Sequence, residues 1–579
     1  MNAPFAQGGD WGFNSFSYFL NDTPFLYLGM AGPSYAFTDN TGKSYPYGER
    51  HYFREIDLYP YIQDDWKVSS RLTLNLGVRY EWNSNAVPAG GVPLEAITNP
   101  LTSTGFTSVS HVVASNPNLK DIDPRIGLAW DPFKDHKTSV RAGFGMFHEP
   151  MAARTYAPAY YMSPPSTAFL VISLPGLGIP APPALSFPIL PTAGGTTEFA
   201  GLDYDTDRTP YVMQYNLTLQ REIVAGTVLS IGYVGSSGVH LFSLHDANPP
   251  LAASNQFLTN GSLNPAYSPT ASGPPGSVTN PFVTGHLNPA FTSLANDEAT
   301  AHSSYNSLQL MLNRQFSRNV IGQVAYTWSR CIDDGSASSG LEQGSYEVTD
   351  TYNQSYDRGP CAFNATQAFR INGVYSLPFK GNRAVSGWQV SPIFSASTGL
   401  PVNIQDNVDQ ANLQGIEGPR PSYAPGGNCK VVLGTVANWW NPDCFILPPY
   451  GTLGNVPRNS IYGPGLMDLD FSIIKDTKVS EKLNMQFRAE FFNIMNHPSF
   501  GNPSPAEGAF NGAYPSVFGT PPTTPSSYVV TGVVTTPGAP NLGSLICANG
   551  ISCYNTNAGC LMYTALPSRQ IQFAVKFTF

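Results

Sequence analysis

Charge is scarce in this chain of 579 residues: Asp, Glu, Lys and Arg make up 12% of it, about half the share usual in soluble domains. Apolar residues do not fill the gap, since they stand at an ordinary 42%. Gly (54) and Pro (52) fill it, with Ser, Thr and Asn, beside 12% aromatics. That mixture suits many strands joined by long loops and argues against a helical protein. No run of about 18 apolar residues occurs, so no transmembrane helix is expected. The first residues, MNAPFAQGGDWGF, show neither a positive n-region nor an apolar h-region, so no signal peptide is visible in them. No basic tract accompanies the net charge of -9, so nucleic acid is not expected as a partner.

Seven cysteines are present: Cys331, Cys361, Cys429, Cys444, Cys547, Cys553 and Cys560. None has the paired CxxC spacing of a zinc site. All lie in Gly/Pro/Asn-rich segments rather than strand-like ones. Disulfides in an oxidising compartment are the better reading, and Cys429 with Cys444 is the preferred pair. The nine histidines are scattered, and HExxH, GxSxG and the P-loop are all missing. GFGMF (143–147) is Gly-rich only on the surface, because it falls in mid-strand. No catalytic residue, metal or cofactor is therefore expected, and the chain does not read as an enzyme.

What is present is alternation. Leu72–Asn83 reads LTLNLGVRYEWN, with Leu72, Leu74, Leu76, Val78, Tyr80 and Trp82 on one phase and Thr73, Asn75, Arg79 and Glu81 on the other. A period of two is a strand with two unlike faces. The apolar face could pack in a soluble core or face lipid in a barrel. The same period recurs at 53–67, 123–133, 138–149, 210–221, 227–235, 305–316, 319–330, 367–379, 387–398, 467–475, 482–493 and 568–579. Most of these runs are of the length a tilted strand needs to cross a bilayer, about 9–11 residues.

The connections choose between the two readings. Short polar joins, KVSSR (67–71), FKDHKTS (133–139), REIVAGT (221–227), FSRN (316–319), KGNRAVSG (380–387) and KDTKVSEK (475–482), alternate with long segments. These run over 84–121, 150–208, 236–304, 331–366, 399–465 and 494–567. A compact soluble domain rarely holds even one structureless loop above about 15 residues. Short periplasmic turns opposite long outer loops are the plan of a transmembrane β-barrel. The last strand, RQIQFAVKFTF, ends on Phe573, Phe577 and Phe579 in one phase, as a closing barrel strand would. Tyr80, Trp82, Trp130, Tyr326 and Trp328 fall where an aromatic girdle would lie. The fold expected is thus an all-β antiparallel transmembrane barrel. Residues 51–579 form its strands, and 1–50 an incomplete upstream strand and outer-loop region.

Several stretches together resemble a known family. YPYIQDDWKVSSRLTLNLGVRYEW (59–82), DPRIGLAWDPF (123–133), SVRAGFGMFHEP (139–150) and TPYVMQYNLTLQREI (209–223) are similar, in order, to the mid-barrel of TonB-dependent outer-membrane receptors of the Oar-like group. So are FRINGVYSLPFKG (369–381), MDLDFSIIKDTKVSEKLNMQFRAEFFNIMNHPSFGNP (467–503) and RQIQFAVKFTF (569–579). The resemblance implies a barrel of about 22 strands in the complete family member, filled by an N-terminal plug. It also implies coupling, through a short TonB-box segment, to an inner-membrane energy-coupling complex. The N-terminal carboxypeptidase-regulatory-like β-sandwich that the resemblance also implies, the plug and the TonB box are not recognisable here, and the first matched segment is already mid-barrel. The chain is expected to be the C-terminal part of such a receptor, with outer-membrane lipid and the barrel assembly machinery as partners. The TonB complex would be a partner only where the N-terminal part is present. The location implied is the outer membrane of a Gram-negative cell, with the substrate unspecified. A passive porin or adhesin barrel, and a soluble secreted glycan-binding β-protein, are the alternatives.

Candidate site residues follow from phase. Glu55, Asp57, Arg79, Glu81, Arg125, Arg141, Arg370, Arg488 and Glu490 all fall on the polar phase and are expected to face the lumen. Arg or Lys on the lipid face would cost about 2–4 kcal/mol at mid-membrane. Asp203, Asp205 and Asp207 (DYDTD) have a spacing that offers oxygens to Ca²⁺, but the trailing Gly and Glu of an EF-hand are missing, which favours a solvated loop.

Overall fold

The computed structural model describes residues 52–151, 201–249, 287–336, 348–405, 420–503 and 563–579, with short breaks, and a few short pieces outside them. Thirteen long strands run through these blocks. They are β1 (Tyr61–Ser69), β2 (Leu72–Tyr80), β3 (Ile122–Trp130), β4 (Thr138–His148), β5 (Tyr211–Val224), β6 (Thr227–Asp246) and β7 (Ala295–Arg314). After them come β8 (Val320–Asp333), β9 (Gln367–Ser376), β10 (Trp388–Ser397), β11 (Leu466–Lys478), β12 (Asn484–Phe492) and β13 (Gln570–Thr578). Each pairs antiparallel with the next, so one meander runs through them in chain order. Short turns fix every second pairing, and the strands joined by long segments lie side by side as well, so the order along the sheet is the order along the chain.

The register separates the two phases across the sheet. One row joins Trp66, Leu74, Leu128, Ala142, Leu217, Tyr233, Leu308 and Trp328. The adjacent row joins Thr73, Ala129, Arg141, Thr218, Gly232, Gln309, Thr327, Ala368 and Ser397. The apolar row is not a core: Trp66 is 53% exposed, Leu217 52% and Trp328 59%. A wide band of exposed apolar side chains on a long sheet is the pattern of a lipid-facing barrel wall. Leu76 and Val78 share this exposure, as expected from their phase.

Turns and boundaries carry their own chemistry. Between β5 and β6 the chain reverses over Ala225 and Gly226, where φ is +72° and a Cβ would stand 2.6 Å from the carbonyl oxygen of Gln315. Only glycine accepts both conditions. Lys475 falls on the apolar phase of β11 at its short-turn end. It escapes lipid by donating to the carbonyls of Arg383 (2.8 Å), Asp476 (3.2 Å) and Ser386, with the Trp388 ring 5.6 Å away.

Three expectations are corrected. The first strand begins at Tyr61 rather than 53, and Tyr52–Arg54 instead pairs with Val87–Ala89. Pro60 intervenes and has no N–H for a ladder. β6 and β7 reach 20 residues each, well beyond the runs expected at 227–235 and 305–316. Their outer ends, SSGVHLFSLHD and ANDEATAHSS, do not alternate, because strands that pair above the membrane need no lipid face. Register shifts around Gly238 and Leu241 mark the change. Cys331, expected in an irregular segment, lies inside β8 and is joined to Cys361. Cys429 is joined to Cys444. Cys547, Cys553 and Cys560 lie outside the described residues.

The buried apolar core sits in the outer loops. Leu94, Val112, Val113, Met151, Tyr156 and Tyr160 form its main cluster. Two buried arginines tie further loops down. Arg420 donates to Asp357 Oδ1 (2.7 Å) and to the carbonyls of Tyr356 (2.6 Å) and Val456 (3.0 Å). Arg458 pairs with Asp333 and donates to the carbonyl of Ser336 at 3.1 Å. A buried guanidinium is tolerable only when its donors are met in this way.

β1 and β13 each have one strand neighbour among the described residues, so the sheet is open there. Unpaired edge groups in lipid cost several kcal/mol each, so these two edges are the least favourable part of the wall.

The lipid row gives a direct test. Leu74→Arg or Leu128→Arg should lower folding stability by about 2–4 kcal/mol and deplete the heat-modifiable band after refolding into vesicles. Thr73→Arg, one residue away on the other face, should leave that band intact.

Candidate functional site

Four of the residues expected to act meet at the outer end of β2. The strand ends at Tyr80, and the chain passes through Glu81 into a short pairing of Asp57 with Asn83 and Leu58 with Trp82. That pairing brings Glu55, Asp57 and Tyr59 alongside Arg79, Glu81 and Asn83. The Asn83 amide Nδ2–H group faces three oxygens: Asp57 Oδ1 (2.6 Å), Tyr59 Oη (2.8 Å) and Glu55 Oε1 (3.2 Å). Asn83 is 3% exposed, and its own Oδ1 has no hydrogen-bond partner among the described residues. Tyr156 closes the cluster by donating its hydroxyl to Glu55 Oε2 at 2.8 Å.

Arg79 is the central cation. Its Nε lies 2.6 Å from Glu81 Oε1, its guanidinium carbon stands 5.0 Å from the centre of the Tyr59 ring, and its cross-strand neighbour is Asp123. Asp123 is 1% exposed and contacts His148 Nδ1 at 2.6 Å. His148 Nε2 lies 3.8 Å from Asp121. Five carboxylates thus gather around one arginine and one histidine. Burial, together with neighbouring carboxylates, holds Glu55 and Asp121 above the usual carboxylate range. The Tyr59 and Tyr156 hydroxyls are raised for the same first reason. Such a site favours a cationic group, which would relieve the crowding of like charge.

The other expected residues are spread out. Arg125 stacks over Phe147, 4.8 Å from its ring centre, in a groove of about 550 Å³ on the polar face. Gly127 and Gly143 floor that groove, and a Cβ on either would crowd Asn75 or Asn216 at 3.1–3.2 Å. Arg141 sits between Ala129 and Thr218, and Arg370 between Ala325 and Ser395. Arg488 donates to Gln486 at 2.6 Å, and Glu490 lies between Ser472 and Gln572. Phe573 stacks on Phe487 with centroids 6.2 Å apart, and Phe577 lies opposite Met485. Phe579 is 94% exposed.

Phase reasoning overlooked Asn83, Asp121, Asp123, His148 and Tyr156. Asp123 was within reach, because it shares the phase of Arg125 on β3. Tyr156 was not, since it returns to Glu55 from 101 residues away.

The chain matches the outer membrane beta barrel domain profile over residues 2–527. The chain belongs to this family. Its place is therefore the outer membrane, and the two-faced meander is the membrane-spanning wall of an outer-membrane barrel. No curated protein matches the chain. Among solved structures, the outer membrane transporter YddB from Escherichia coli aligns at 12% identity and a TM-score of 0.39, over 82% of this chain and 46% of that one. The siderophore receptor PirA from Acinetobacter baumannii aligns at 10% and 0.37, over 81% and 48%. The ferric enterobactin receptor of Pseudomonas aeruginosa aligns at 10% and 0.38, over 96% and 51%. The chain thus spans about half the length of each.

Asn83→Ala in this outer-membrane barrel should remove the donor that Glu55, Asp57 and Tyr59 share. The expected loss is about 1–3 kcal/mol in urea unfolding from micelles. The same change in a Glu55→Gln background should lose less, because the two act on one cluster.

Proposed function

We propose that this barrel is the receptor portion of a TonB-dependent system of the Oar-like kind, which binds a solute at the cell surface and takes it up with energy coupling. The observation that carries the reading is the wall itself: an apolar face for lipid, and a polar face holding Arg79, Arg125, Arg141, Arg370, Arg488 and Glu490. On this reading the polar face lines the lumen, and the mouth cluster of Glu55, Asp57 and Glu81 is the first polar surface an entering solute meets. No bond is made or broken on the solute, so the role is one of binding and passage. The open edges at β1 and β13 would be closed by the remaining strands of a larger barrel. Plug and TonB box would lie with those strands, and folding would use the barrel assembly machinery.

The test uses the native gene in its own cells. The protein should fractionate with the outer membrane and migrate as a heat-modifiable band. Solute accumulation that depends on the gene should be lost when the inner-membrane energy-coupling complex is deleted. Accumulation that survives that deletion would assign the barrel as a passive porin, and surface binding without accumulation would assign it as an adhesin.

A further inference from the structure

The apolar face of the wall carries a cation at its outer boundary. Arg330 follows Trp328 by two residues on β8 and shares its phase. The ladder sets it in a row with Tyr215, Gly235 and Asn306, one step above the apolar row of Leu217, Tyr233, Leu308 and Trp328. Lys475, Arg221 and Arg314 hold the same phase at short-turn ends, and each is met there. Carbonyls cap Lys475, Thr138 and Asp135 take Arg221 at 2.6 and 3.6 Å, and Thr227 takes Arg314 at 3.2 Å. Arg330, by contrast, is exposed and has neither an ion-pair nor a hydrogen-bond partner among the described residues.

Asn306, directly opposite Arg330, supplies the second observation. Its Oδ1 accepts from the hydroxyls of Tyr233 (2.5 Å) and Tyr215 (3.3 Å), whose rings stack with centroids 6.1 Å apart. The Tyr215 ring crosses Gly235, where a Cβ would stand 2.2 Å from it. Two hydroxyls on one oxygen fix which way the amide points, so its Nδ2–H donors are left over, with no acceptor among the described residues. Arg330 and Asn306 thus offer free donors side by side. Both line a groove of about 580 Å³ that Tyr233, Leu308, Trp328 and Ile332 also line.

We propose that this groove binds the phosphate of a phosphorylated lipid of the outer leaflet, with Arg330 and Asn306 as donors and with Leu308 and Trp328 against its acyl chains. Donors at the boundary and exposed apolar side chains one row nearer the membrane centre match an amphiphile of that orientation. A guanidinium presents a planar fork to two phosphate oxygens, and the amide N–H meets a third. A soluble phosphate would leave Leu308 and Trp328 uncovered, whereas a lipid covers them with its chains. Lipid binding here requires only that the wall lie in the outer membrane, and not that a solute pass through the lumen.

The test uses the full chain refolded in dodecyl maltoside micelles, with diphosphoryl lipid A added and bound lipid counted by native mass spectrometry. The chain should retain this lipid and should not retain lipid A stripped of its phosphates. Arg330→Gln should weaken the apparent affinity by about tenfold. Asn306→Asp keeps the oxygen that the two tyrosines share but sets a negative charge beside the phosphate, so it should lose at least as much. Lys482→Gln, in the β11–β12 turn, should change nothing, and excess inorganic phosphate should not displace the lipid. Each variant is scored with its heat-modifiable band intact, and if one of the two site variants fails to refold, the other carries the test. Equal retention of both lipid forms, no retention by the wild-type chain, displacement by inorganic phosphate, or full retention by either refolded site variant would overturn the proposal.

Discussion

The backbone of a chain in hydrocarbon has no water to bond with, and this one constraint organises the whole molecule. Each strand must find a neighbour for every N–H and C=O, so the thirteen strands pair in chain order along one meander. Pairing in turn fixes the register, and register collects like side chains into rows. Trp66, Leu74, Leu128 and Leu217 therefore share one face, and Thr73, Arg141 and Thr218 the other. The usual relation of core to surface is reversed, since the apolar face is the exposed one.

Outside the membrane the ordinary rules return. The loops bury Leu94, Val112, Met151 and Tyr156 in a conventional apolar cluster. They anchor themselves with Arg420 and Arg458, each wrapped in carbonyl and carboxylate oxygens, and with the Cys331–Cys361 and Cys429–Cys444 bridges. Polar chemistry concentrates at the boundary between the two regimes. Glu55, Asp57, Glu81, Asp121 and Asp123 gather there because strand ends stop alternating and loops fold back over them.

Much of this was legible in advance. Strand positions, the alternation of short and long joins, and the phase of Leu76 or Arg79 all follow from local sequence, because side chains in a strand alternate whatever the strand packs against. Where pairing happens above the membrane, as in the outer halves of β6 and β7, the alternation is missing and local sequence there reads as loop. The site was half legible: Arg79 and Glu81 announce themselves by phase, while His148 and Tyr156 reach the cluster through loop folding that leaves no periodic trace.

The sequence by itself thus determined a two-faced antiparallel wall, its turns and its membrane phase, since these depend on neighbours in the chain and on transfer between water and lipid. Only the tertiary structure decided which polar residues meet. It set Asn83 among Glu55, Asp57 and Tyr59, brought Arg330 opposite Asn306, and left Arg141 and Arg488 apart. The physical reason is that contacts between distant segments depend on strand register and loop closure, and neither is written in the spacing of residues along one strand.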